Sequence, residues 1–268
     1  MTRLASMLCV LLPLSFAAGA CRAPASSPIP GQVIDLTHAF DSDTIYWPTA
    51  EGFRLEIDSQ GWTEGGYYYE ANSFCTAEHG GTHVDAPIHF AEGKWALDEV
   101  PVDQLMGPGV LVDVSEACAK NRDHLVTTEE LRAWEREHGR IPLGAIVLLR
   151  TGFGRYWPDR ERYMGTAERG PEAVPKLHFP GLHPEAARWL VEERTIGAIG
   201  LDTPSIDHGP SKDFLAHRVL FEANVPAIEN VAHLELLPEA GFEVIALPMK
   251  IRHGSGGPVR VVAILSRD

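Results

Sequence analysis

The sequence predicts a single α/β domain, a mixed sheet with flanking helices, spanning residues 32–268. Three observations lead there. PGVLVDV at 108–114 and AIVLLR at 145–150 are apolar runs of strand length, the pattern of buried central strands. Between them, Thr127, Thr128, Glu129 and Glu130 open a segment that His138 and Gly139 close, a helix with start and stop signals. No internal repeat and no shift of composition follows Gly31, and 268 residues at 44% hydrophobic content suffice for one sizeable core.

At the N-terminus, Arg3 precedes an apolar run at 4–18, and Ala18, Gly19 and Ala20 stand directly before Cys21. That is the layout of an export signal over residues 1–20. The run is shorter than the roughly 20 apolar residues of a spanning helix and contains Pro13. Cys21 at the first mature position resembles a bacterial lipobox, with Ala18 where Leu is usual. The expected location is therefore outside the cytoplasm, on a lipid anchor at Cys21. Residues 21–31, rich in Pro, Ala and Ser, read as a flexible linker. Two cysteines remain in the domain, Cys75 and Cys118, either as one disulfide or as two unpaired thiols.

VIDLT at 33–37 reads as a strand and Asp41-Ser42-Asp43 as a turn. FRLEID at 53–58 alternates apolar and polar, which predicts a half-buried strand, and the β-rich stretch at 67–74 predicts another. Residues 152–181 are rich in Gly, Pro, Arg and aromatics and too long for a turn; a lid or a partner-binding segment is expected. A helix follows from His183-Pro184 to Glu193, then a buried strand, IGAIGL at 196–201. The chain closes with strand, Gly-rich turn and strand. Its net charge of −14 excludes a phosphate-backbone partner, which needs a basic face.

The densest chemistry is HGGTHVDAPIHF at 79–90. Gly80, Gly81, the β-branched Thr82 and Val84, and Pro87 all disfavour a helix. In extended backbone His79, His83, Asp85 and His89 have equal parity and share a face. Imidazoles with a carboxylate suit a borderline divalent ion and leave positions for water. Clustered imidazoles repel one another when protonated, so something is expected between them.

HGGTHVDAPIHF closely resembles the His-x-Gly-Thr-His-x-Asp-x-Pro-x-His signature of the cyclase-family metal-dependent hydrolases, which include bacterial kynurenine formamidase and isatin hydrolase. IDLTHAF near the start, TIYWP at 44–48, GLDTPSID at 200–207 and GGPVRVVAI near the end also look like family blocks. The resemblance implies a swivelling β/β/α fold. It also implies metal ligation by His79, His83 and Asp85, with His217 and Glu229 completing a site for one or two ions of zinc or manganese. His89 falls on the general acid/base and Trp47 on a wall of the substrate pocket. The implied activity is hydrolysis of a C–N bond in a small aryl or cyclic amide, formylkynurenine-like or isatin-like. A bound metal lowers the pKa of water from 15.7 to about 7, so water replaces a serine nucleophile; Gly254-Ser255-Gly256-Gly257 is not a nucleophile elbow. A homodimer or homotetramer is implied too. The competing reading is an exported metal-binding protein of the same fold without turnover.

Overall fold

The computed structural model describes residues 31–266; the export signal, Cys21 and the linker up to Pro30 lie outside the described residues. The strands are β1 (Gln32–Asp35), β2 (Arg54–Trp62), β3 (Tyr68–Cys75), β4 (His83–Asp85), β5 (Met106–Asp113), β6 (Leu125–Val126), β7 (Ile146–Arg150), β8 (Gly181–Leu182), β9 (Ala198–Leu201), β10 (Ala227–Glu229), β11 (Phe242–Pro248) and β12 (Gly256–Leu265). The helices are α1 (Ser115–Lys120), α2 (Thr128–His138), α3 (Arg160–Met164), α4 (Pro184–Trp189) and α5 (Leu215–Glu222).

Eight strands form one sheet in the order β1-β12-β11-β5-β7-β9-β10-β4, and β12 also pairs with β4. The sheet thereby closes into a barrel-like ring. Closure depends on the length of β12: its residues 262–265 pair with β1, and its residues 256–258 pair with β4. The run β5-β7-β9-β10 is parallel, while β11, β12, β1 and β4 join antiparallel.

Both faces of the parallel run are covered, which explains its unbroken apolar sequence. Ile146 and Leu148 of β7 enter one core cluster with Ile34, Leu111 and Val244. Val147 and Leu149 point the other way, into a second cluster with Leu131, Trp134 and Phe221 under the helices. The start of α2 is a capping box: Thr127 Oγ1 accepts from the Glu130 amide, and the Glu130 carboxylate accepts from the Thr127 amide.

Two expectations are corrected. All of FRLEID but Phe53 lies in a strand, though not a half-buried one: among the described residues β2 pairs only with β3, and nearly all of that two-stranded hairpin is exposed on both faces. Alternation reported strand geometry without saying which face would find a core. Residues 152–181 are not a structureless loop. They fold into short helical turns, and Tyr163, Met164, Leu177 and Phe179 are fully buried in the core beneath the helices. Of the two cysteine readings the unpaired one holds: Cys75 is exposed, Cys118 is buried, and both are free.

Candidate metal centre and pocket

β4 is only three residues long, yet all three are buried because it is paired on both sides, to β10 and β12. His83 and Asp85 have equal parity and point to one face; Val84 between them points into the core. Glu229 of β10 stands directly opposite His83 in the register, so an imidazole and a carboxylate become cross-strand neighbours. His83 Nε2 lies 3.5 Å from Glu229 Oε2 and 3.0 Å from Asp85 Oδ1.

Equal parity does not carry His79 and His89 as expected, because the extended backbone covers only His83 to Asp85. A turn brings His79 in instead. Gly81 adopts φ 57°, and a Cβ there would crowd the Phe40 ring, so only glycine fits. His79 Nδ1 then reaches Asp85 Oδ1 at 2.6 Å. His89 ends the short 3₁₀ turn Pro87–His89 and stacks on His79, with ring centroids 3.8 Å apart.

His217 arrives on α5, whose residues Ala216, Leu220 and Phe221 are buried with it. Asp207 fixes it: one oxygen meets His217 Nδ1 at 2.7 Å, and the carboxylate accepts from the amides of Ala216 and His217, each at 3.1 Å. The same side chain thus satisfies donors at the start of α5 and aims Nε2 at Glu229 Oε1, 3.0 Å away, and Asp85 Oδ2, 3.3 Å away.

Each imidazole is therefore gripped at one nitrogen and turned with the other toward Asp85, and in His83 and His217 toward Glu229 as well. Asp207 grips His217, the Gly81 carbonyl accepts from His83 Nδ1 at 2.9 Å, and Ser255 Oγ meets His79 Nε2 at 2.9 Å. Ser255 is itself held by Glu78 through both its hydroxyl and its amide. Partners of this kind orient metal-bound histidines and fix their tautomers. Sequence reasoning missed Glu78, Ser255 and Asp207. Ser255 was weighed only as a nucleophile, although its place in a Gly-rich turn allowed the close backbone approach seen here: a Cβ at Gly256 would collide with the His79 ring.

The donor set fits a divalent ion. His79, His83 and Asp85 bring ligand atoms within reach of one another, as do Asp85, His217 and Glu229, so Asp85 is common to both groups. His83 Nε2 is buried and, although 3.0 Å from Asp85 Oδ1, makes no well-directed hydrogen bond, which suits a coordinating atom. The charges agree. Burial disfavours the protonated rings, but Asp85 and Glu229 outweigh it, pushing His83 up to about 9; His217, held also by Asp207, is raised well above the usual histidine range. Burial would raise Asp85, yet His79 and His83 hold it well below the carboxylate range, while burial and the Asp85 charge raise Glu229. Such a cluster demands positive charge, which protons and a divalent cation compete to supply.

These groups line a cavity of about 320 Å³ whose remaining walls include Trp47, Phe90 and Phe214. The Trp47 ring meets Phe179 and Phe214 edge-on. His89 also lines the cavity; burial, with the neighbouring imidazoles, holds it down to about 4 against the pull of Asp85.

Nitrogen and carboxylate donors beside an apolar cavity define a metal-dependent enzyme as the class of protein. The family model described as "Putative cyclase" matches residues 34–208, and the chain belongs to that family. It is similar to isatin hydrolase of Roseibium aggregatum, 33% identical over 244 residues covering 88% of this chain and 87% of the relative. It is also similar to kynurenine formamidase of Bacillus mycoides, 30% identical over 233 residues covering 86% of this chain and 96% of the relative. Among solved structures, isatin hydrolase A from Labrenzia aggregata bound to benzyl benzoate superposes with a TM-score of 0.79 at 34% identity, covering 88% of this chain and 94% of that one. An isatin hydrolase bound to the product analogue thioisatinate gives 0.78 at 28% identity, covering 88% and 93%.

Proposed function

We propose that this chain hydrolyses the C–N bond of a small cyclic aryl amide of the isatin type, ahead of N-formylkynurenine, with zinc or manganese held by His79, His83, Asp85, His217 and Glu229. The relatives support the coarser statement, a metal-dependent amide hydrolase acting on non-peptide C–N bonds. The observation that carries the substrate class is the join between the imidazole–carboxylate cluster and a 320 Å³ cavity walled by Trp47, Phe90 and Phe214, which suits a flat bicyclic ring.

When bound, the ion supplies a water of lowered pKa and polarises the amide carbonyl. The chain does the rest. Trp47, Phe90 and Phe214 exclude bulk water and hold the ring face. His89, neutral because its surroundings are buried, accepts a proton from the attacking water and returns it to the departing nitrogen. Asp207, Ser255 and the Gly81 carbonyl keep the three ligand rings from turning.

The test is absorbance-monitored hydrolysis of isatin and of N-formylkynurenine by protein loaded with zinc or manganese. Faster turnover of isatin, abolished in His89→Ala with metal retained, is expected. No turnover of either with any divalent ion, and a chelator that shifts only thermal stability, would favour the exported metal-binding protein without activity.

The proposal extends to setting. An export signal at 1–20 and lipidation at Cys21 put the enzyme outside the cytoplasm, its membrane contact confined to that anchor; palmitate labelling that disappears in Cys21→Ala checks this. We also propose a homo-oligomer joined through the β2-β3 hairpin. Its Leu55, Ile57, Trp62, Tyr67, Tyr68, Tyr69 and Phe74 are exposed, Trp62 to 77%. A stable interface buries about 800 Å² per partner, and these apolar side chains would supply the centre of one. An isolated two-stranded hairpin is marginal in water, so a second copy covering it also explains why it persists.

A further inference from the structure

Residues 152–181 touch two walls of the site from behind, and the chemistry above uses none of them. One set of contacts runs to the strip that carries Trp47. Arg160 Nη1 donates to the Tyr46 carbonyl at 2.9 Å, the Gly170 amide to the Pro48 carbonyl at 2.8 Å, and Arg169 Nη2 to the Ala50 carbonyl at 2.8 Å. Three alternate carbonyls on either side of Trp47 are held in this way, while Phe179, also from this segment, stands edge-on to the indole.

The second set runs to His83. Tyr163, fully buried on α3, donates its hydroxyl to Asn230 Oδ1 at 2.9 Å. That bond orients the Asn230 amide so that Nδ2 donates to the Gly81 carbonyl at 2.7 Å, the same oxygen that accepts from His83 Nδ1. A carbonyl fixed from one side by an amide can hold an imidazole from the other.

We propose that residues 152–181 are a positioning element with two arms: Arg160, Gly170 and Arg169 set the Trp47 wall, and Tyr163, through Asn230 and Gly81, sets the ring of His83. The proposal rests on the reading of Trp47 as a substrate wall and His83 as a metal ligand. Because the arms end on different parts of the site, they make different demands. A displaced wall weakens substrate binding, whereas a loosened His83 weakens metal binding.

The experiment compares Arg160→Ala/Arg169→Ala and Tyr163→Phe with wild type in the full chain, using isatin and the zinc ion. The arginine pair is expected to raise KM about tenfold with kcat little changed and zinc affinity intact. The amides of Ala50 and Gly170, which bond to the Trp47 and Pro48 carbonyls, should lose protection from hydrogen exchange, and lysine at both positions should restore part of both effects. Tyr163→Phe keeps the ring and removes one donor; zinc affinity by chelator competition is expected to fall about tenfold, with KM unchanged. Wild-type exchange protection in the arginine pair overturns the first arm, and wild-type zinc affinity in Tyr163→Phe overturns the second. A general fall in thermal stability without this split overturns both. If Trp47→Ala leaves KM unchanged, the substrate-wall reading has failed by itself, and exchange at Ala50 and Gly170 still decides the first arm.

Discussion

β4 and the β2-β3 hairpin are neighbours in the chain and opposites in every other respect. β4 has three residues, pairs on both sides and is wholly buried; β2 and β3 have nine and eight residues, pair only with each other and lie almost entirely in solvent. The shorter strand is the better fixed, because its position is dictated by β10 and β12 rather than by its own length. A site built on β4 inherits the rigidity of the ring, whereas the hairpin has apolar side chains that the other described residues leave exposed.

The largest expected effect is at the ring. His217→Ala removes one of three imidazoles facing Asp85 and Glu229 and leaves those carboxylates buried with less compensation; metal analysis should show loss of the ion, and turnover should fall by about 10³-fold or more. Next comes the core that supports it. Leu148→Ala, at a fully buried position of β7, is expected to cost about 3 kcal/mol in urea unfolding.

A smaller effect is set by pH. His38 stacks on Trp157 at 4.1 Å, its Nε2 is buried without a partner, and burial together with the His233 charge holds it down to about 4. Unfolded, it titrates near 6.5, so between those values the unfolded chain takes up the proton and the folded one does not. The stability this ring confers is present above pH 6.5 and is lost as pH falls toward 4, on the order of 1–2 kcal/mol. Urea unfolding of His38→Gln and wild type at pH 7 and 4.5 should show the smaller drop in the variant.

The smallest effect on folding is expected in the hairpin. Ile57→Ser with Trp62→Ser should change the unfolding free energy of the subunit by no more than about 0.5 kcal/mol, while sedimentation shifts toward monomer. Loss of fold without loss of association would reverse the contrast drawn between the two regions.

The same contrast separates what could be read in the sequence from what could not. HGGTHVDAPIHF advertised its chemistry because function packed imidazoles and a carboxylate at a density that ordinary folding does not produce. The strands of the ring were legible because two buried faces leave unbroken apolar runs such as IVLL in β7. Glu78, Ser255 and Asp207 were not, since a single hydroxyl or carboxylate in a turn looks the same whether it meets solvent or a buried imidazole. The solvent exposure of FRLEID was hidden for a related reason: alternation fixes which side chains share a face, and only tertiary pairing decides what that face meets. His217 depended on resemblance, because one histidine in a helix carries no periodic signal.

The register of β1 against β12 sets Gln32 opposite Leu265, so the two ends of the described chain lie side by side. Joined by a few residues, the backbone would form a loop without ends, and a new opening at the exposed Gly139-Arg140 turn would give a circular permutant. In that protein β7, β9 and β10 would be synthesised before β4, and Glu229 before His83. An unchanged metal affinity there would show that the ring assembles from its pairings, whatever order the ribosome delivers them in.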